Sequence, residues 1–249
     1  MCNVLGFLGT MILLLATEML TAMWQSASAE TITVSQTGAA DTQYLDEAIA
    51  IASVGDTIRV AAGTYYVDIP FSTERITLLG AGPDSTIIRY AWPMVVAIAA
   101  DSVTIEGFTF DYDTDGRSAS AKSSAMIIAS RQGDLIRPLI RRNRFIGGYA
   151  AIELHRGVQP VIQYNEFLTQ IGLILANNHN TIDARYNWWN TDERTSITEK
   201  IKIWYDQDED GLGIVKFDPW LLAPEGPIYT AVRLLSWGRL KRIHLPKEE

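Results

Sequence analysis

A chain of 249 residues has room for one large domain or two small ones. Its 21 Lys and Arg against 29 Asp and Glu give a formal net charge of −8. The charge is uneven: residues 30–223 carry about −9 and residues 224–249 about +2, so the acidic body argues against nucleic acid as the main partner.

Residues 1–29 read as an export signal. Residues 4–16 are mostly apolar, and Ala27-Ser28-Ala29 before Glu30 fits a small-residue cleavage site. No Lys or Arg precedes the run, which is shorter than the ~20 apolar residues a spanning helix needs. The expected location is therefore secreted, periplasmic or cell-surface. The single cysteine, Cys2, leaves with this segment, which excludes disulfides and thiolate catalysis in the mature chain.

Residues 44–55 predict a helix. Leu45, Ala48, Ile49 and Ala52 fall at helical spacing, and Gly55 stops it. Short alternating runs follow at 57–60, 65–69, 76–79, 86–89, 103–105, 139–141, 152–154, 161–163 and 172–175. They are too closely spaced for crossover helices. Asn143, Asn165 and Asn187 recur every 22 residues, each two before a large aromatic: Phe145, Phe167 and Trp189. Counting three before each asparagine aligns Ile140 with Ile162, and counting nine after aligns Ile152 with Ile174. Val103 to Phe110 joins the same alignment, with Phe108 in place of the asparagine and Phe110 on Phe145.

This pattern predicts an all-β solenoid over residues 30–223, with coils of about 22 residues stacked at about 4.8 Å. The asparagines are expected at tight corners, in the left-handed conformation, with stacked amides. The helix at 44–55 is placed as the N-terminal cap. Residues 197–204 and 215–222 depart from the repeat and form an irregular C-terminal cap. Phe110 to Phe145 spans about 13 residues too many, and the polar stretch 111–124 is the candidate loop. Residues 224–249 read as a linker and a short basic tail for sorting or docking, with Trp237-Gly238-Arg239-Leu240-Lys241 at its centre.

The residues carry a resemblance. Gly55-Asp56-Thr57-Ile58 with Ala62-Gly63-Thr64-Tyr65 resembles the first coil of right-handed parallel β-helix proteins, the pectate-lyase-like superfamily. Residues 76–83 resemble the second coil, and Asn187-Trp188-Trp189-Asn190-Thr191 the closing segment, with Asn190 where glycine is common. The superfamily holds pectate lyases, pectin methylesterases, polygalacturonases and proteins without demonstrated activity, so it implies fold more than function. Asn190-Thr191-Asp192 spells a polygalacturonase signature. The companion motifs are missing, as is the pectin methylesterase set.

Two stretches, Asp111-Tyr112-Asp113-Thr114-Asp115-Gly116 and Asp206-Gln207-Asp208-Glu209-Asp210-Gly211, place three carboxylates at alternate positions before a turn glycine. Such a set can converge on Ca2+, although the distal glutamate of an EF-hand is absent from both. Tyr112, His155, Arg156 and Trp188 are the candidate carbohydrate-binding residues, with Trp92 and Tyr149 beside them. Trp188 is expected to point away from the core by alternation with Trp189. Export, repeat and the lack of a complete catalytic set favour a β-helix that binds a polysaccharide or cell-surface glycan, or serves as a scaffold. A calcium-assisted uronate lyase is the alternative, with Asp111, Asp113 and Asp115 beside Arg141, Arg142 or Arg144. A purely structural assembly protein is the third possibility.

Overall fold

The computed structural model describes residues 28–66, 69–90, 96–112, 124–131, 133–204, 213–224 and 228–229. All but the last two residues of the expected export signal, most of the first aspartate loop, all of the second and most of the tail lie outside them. Three parallel sheets wind along one axis. Sheet A has eight strands: Thr31–Val34, Thr57–Val60, Thr77–Gly80, Thr104–Glu106, Leu139–Arg141, Val161–Gln163, Thr181–Asp183 and Ile214–Lys216. Sheet B has five: Gly63–Tyr66, Thr86–Tyr90, Thr109–Tyr112, Arg144–Ile146 and Glu166–Leu168. Sheet C has six: Ile69–Phe71, Val96–Ile98, Ser124–Ile128, Ala150–Leu154, Ile171–Ala176 and Ile201–Trp204. The chain visits A, B and C in turn, which makes each circuit one coil.

Alternation along each strand fills the interior with stacked like residues. Sheet A contributes Ile58, Leu78, Ile105, Ile140 and Ile162 in register, all fully buried. Sheet B contributes Ile88, Phe110, Phe145 and Phe167. Their ring centroids lie 5.2 and 5.6 Å apart, and Trp189 continues the column at 4.8 Å. Such offset aromatic stacks add to the area they bury.

The corner from sheet A to sheet B carries the asparagines, and their amides form a buried ladder. The Asn143 main-chain N–H and Nδ2 both donate to Asn165 Oδ1, at 3.0 and 3.2 Å. Asn165 donates in the same way to Asn187 Oδ1, at 2.8 and 3.0 Å. Each Nδ2 also reaches a carbonyl of the coil before: Ile105 for Asn143, Ile140 for Asn165 and Ile162 for Asn187. The left-handed residue is the one before each asparagine, not the asparagine itself. Arg142, Tyr164 and Tyr186 have φ of 52°, 57° and 62°, and Gly107 occupies the same place before Phe108 at 85°. The chain turns at this residue so that the next side chain can enter the interior.

Sheet C departs from the expected alignment. Ile152 pairs with Leu173, not with Ile174, because Ala150 pairs with Ile171 one residue short of a 22-residue step. The strands bend here, so that successive residues such as Ala125 and Met126, or Ala151 and Ile152, are both fully buried. Ile174 turns outward into a satellite cluster with Ala150, Ile171 and Tyr149.

The extra residues fall in two places. Asp111 to Ser124 takes 13 residues where Ile146 to Ala150 takes four, and Ile128 to Leu139 takes 11 where Leu154 to Val161 takes seven. Both flank the strand Ser124–Ile128.

Helix α1, Leu45–Ile51, lies against the first coil with Leu45 and Ala48 buried. It stops short of residue 55. The Asp56 carboxylate accepts the main-chain N–H groups of Ser53 and Glu30, both at 2.8 Å, and holds 53–56 as a turn instead. At the other end, helix α2, Arg194–Glu199, buries Ile197. The strands Ile201–Trp204 and Ile214–Lys216 extend sheets C and A rather than leaving them. The Arg194 guanidinium lies 5.2 Å from the rings of both Phe217 and Trp220 and pairs with Asp218.

Two substitutions test this frame. Asn165→Leu strands the Asn143 N–H and the Ile140 carbonyl, and is expected to cost at least about 2 kcal/mol in denaturant unfolding. Gly80→Ala would place a Cβ 2.3 Å from the Gly107 carbonyl oxygen, backbone against backbone. It is expected to lower the melting temperature measurably, at about 1–3 kcal/mol.

Candidate functional site

The outer face of sheet C is where the repeat is interrupted. Its central strand, Ser124–Ile128, enters from one insertion and leaves into the other. Across the strands, Pro70, Ala97, Ile127, Glu153, Ile174 and Lys202 share one outward row. A second row one pleat on holds Ser72, Ala99, Ala129, His155 and Ala176. Small and apolar side chains thus make a floor on which Glu153 and His155 stand, two residues apart on one strand and so on one face.

Glu153 Oε1 lies 2.8 Å from His155 Nε2, and Ser124 Oγ donates to Glu153 Oε2 at 3.2 Å. The His155 hydrogen bond holds the Glu153 carboxyl below its ordinary range; burial opposes this, and Ser124 adds to it. Glu153 is therefore ionised at neutral pH. An ionised carboxylate on Nε2 places the imidazole proton there and leaves Nδ1 as the acceptor. The satellite cluster of Ala150, Ile171 and Ile174 supplies an apolar flank beside Glu153. On the far side a groove runs past Ser72, Ala99, Ser130, Arg131 and Asp134. A carboxylate-braced imidazole on an open face can take a proton from a hydroxyl or water and return it to a leaving group.

The other expected residues are dispersed. Tyr112 is half-buried against the core, edge-on to Tyr90 at 5.1 Å, because residues 110 and 112 share a side of the strand. Asp111 pairs with Arg89, whose Nη2 donates to Oδ2 at 2.9 Å. Asp113, Asp115, Asp206, Asp208, Asp210 and Trp92 lie outside the described residues. Among the described residues no cluster of three or more His, Cys, Asp or Glu is placed to hold a metal.

Trp188 is half-buried and faces away from Trp189 as expected, but it belongs to the sheet B side, bridged to Glu166, not to the His155 face. Arg156 is exposed directly after His155. The arginines considered as lyase bases are engaged. Arg141 and Arg142 both reach Glu106 at 2.7 Å, and Arg144 spans Glu166 and Asp84. Ser124 and Glu153 are the partners that the sequence reading did not bring to His155. The signal was Glu153-Leu154-His155, an i, i+2 spacing on a strand.

No family model matches the chain, and no curated protein matches it in sequence. Its fold does match solved structures. A pectin methylesterase in complex with a hexasaccharide aligns with a TM-score of 0.51 at 15% identity, over 77% of this chain and 68% of that one. A pectin methylesterase from carrot aligns at 0.41 and 15% identity, over 90% of this chain and 99% of that one. Pectin methylesterase PemA from Erwinia chrysanthemi aligns at 0.41 and 14% identity, and the chain spans 57% of its length. No helix among the described residues is long and apolar enough to cross a membrane. Three parallel sheets wound into stacked coils, together with this likeness, give the chain a right-handed parallel β-helix fold.

Proposed function

We propose that the chain is an exported, carbohydrate-acting β-helix that removes ester groups from an acidic, pectin-type polysaccharide on the outer face of sheet C. One observation carries the reading: the Glu153–His155 pair stands on the only sheet face bordered on both sides by insertions among the described coils. The fold likeness to a pectin methylesterase holding a hexasaccharide supports the substrate class.

In this reading, His155 Nδ1 takes a proton from water as the water oxygen attacks the ester carbonyl. Glu153 stabilises the imidazolium that results. The same proton then passes to the departing alkoxide, so that one ester and one water give a carboxylic acid and an alcohol. General acid–base help of this kind is worth roughly 10²–10⁴ in rate.

The test is methanol release from methyl-esterified pectin. His155→Gln should lower kcat at least about 100-fold with the fold unchanged by circular dichroism. Absence of methanol release by the wild-type chain, or full activity in His155→Gln, overturns the reading. A second reading, glycan binding without turnover, is favoured by the missing pectin methylesterase motif set. Retention on pectin without methanol release would establish it, whereas unsaturated products detected by ultraviolet absorbance would point to elimination instead. Calcium remains a separate proposal for the two aspartate loops. Added Ca2+ should raise the melting temperature if they bind it.

The pair also predicts a pH dependence. Glu153 has its carboxyl pKa lowered from about 4.5 on folding, so its stabilising contribution is present above that value and is lost as pH falls through the lower folded one. In His155→Ala the main lowering cause is gone while burial remains. The Glu153 titration followed by NMR should therefore move upward, and the loss of stability should begin at higher pH.

A further inference from the structure

A second polar groove lies on the outer face of sheet A, on the last four coils. Arg137, Val161, Thr181, Asp183, Arg185 and Lys216 line it. We infer that this groove binds a linear, carboxylate-bearing polysaccharide, a polyuronate, apart from the Glu153–His155 site.

The charge is local and contrary to its surroundings. Three cations and one carboxylate line the groove, with Asp101 beside Arg137 at its edge, in a body that carries about −9. Asp183 does not cancel the groove so much as order it. It takes Arg185 Nε on Oδ1 at 2.8 Å and Nη2 on Oδ2 at 2.7 Å, while Gln163 Nε2 donates to Oδ2 at 3.1 Å. That bidentate clasp fixes the guanidinium plane and leaves Nη1 for a ligand. The Tyr186 ring lies 5.8 Å from Arg185 Cζ and bounds it on another side. Lys216 is exposed and sits directly across from Asp183 on the next coil. Arg137 is exposed at the opposite end, its main-chain N–H donating to Asp101 Oδ1 at 2.6 Å.

The spacing selects the ligand. Arg137 precedes Leu139 by two, and Leu139, Val161, Asp183 and Lys216 follow one another across successive strands. Arg137 and Lys216 are thus three coil steps apart, about 14 Å along the axis. A compact anion such as phosphate cannot touch both. A chain with one carboxylate per sugar can meet the cations in sequence. A nucleic acid also fits the length, but its dense charge is disfavoured by the acidic body.

Direct binding separates this inference from turnover at His155. An unesterified oligogalacturonate should bind the wild-type chain in calorimetry and weaken as NaCl is raised. The double variant Arg137→Glu, Lys216→Glu should bind at least 10-fold more weakly and keep its methanol release if the first site is active. The milder Arg137→Gln, Lys216→Gln pair should show the same direction if the charge reversal disturbs folding. A fully methyl-esterified oligomer should bind at least 10-fold more weakly than the acid form. Equal binding by acid and ester, unchanged affinity in both double variants, or tighter binding of single-stranded DNA would overturn it.

Discussion

Everything else in this fold depends on how the corner between sheets A and B is satisfied. Sheets stacked coil on coil meet their own backbone needs along each strand, but at a sharp corner the N–H and carbonyl groups turn away from the ladder. Left buried and unmet, each would cost roughly 1–3 kcal/mol. The asparagine amides repeat the missing ladder with side chains: Asn143 to Asn165 to Asn187, each also bonded to the coil before. The cost is transferred to the preceding residue, which holds a left-handed backbone at Arg142, Tyr164 and Tyr186. At Tyr164 and Tyr186 part of that strain is offset by stacking of the two rings at 5.5 Å.

A corner built this way tolerates no change of length, because one added residue would break the amide column. Variation is left to the two borders of sheet C, where both insertions occur. The most regular part of the coil thereby determines where the irregular part lies. Glu153 and His155 stand between the two borders on a strand whose neighbours present mainly small side chains. Sheet A, by contrast, gains its character from outward charged side chains on strands that stay in register across the coils, which is why its groove follows the axis.

The corner and the aromatic column were legible because they repeat at a fixed interval. Ile105, Ile140 and Ile162 stack as their spacing from the asparagines implies, and Phe110 lies on Phe145. Sheet C was less legible. Its bend buries two successive residues, so period-two counting slips by one and assigns Ile174 to the core instead of the outer cluster. Strand parity likewise places Tyr112 beside Tyr90, on the side of the strand that carries Phe110. His155 was visible as a chemical group. Glu153 could have been found two residues before it, but Ser124 could not, since it comes from a different coil and no local pattern links position 124 to 153.

Phe108, where the asparagine column stops and gives way to Ala81 and Ala61 on the coils before it, divides the solenoid. It is fully buried, and its N–H donates to Asn143 Oδ1 at 3.1 Å, so the amide series begins there. The coils beyond it toward the N-terminus have no such clamp and rely on apolar stacking and α1. In a structure where each coil contacts only its neighbours, stability is close to a sum of local terms. The two ends therefore need not open together: local unfolding should propagate from the N-terminal coils and halt at the first amide rung, which lies in the coil that also carries Glu153 and His155.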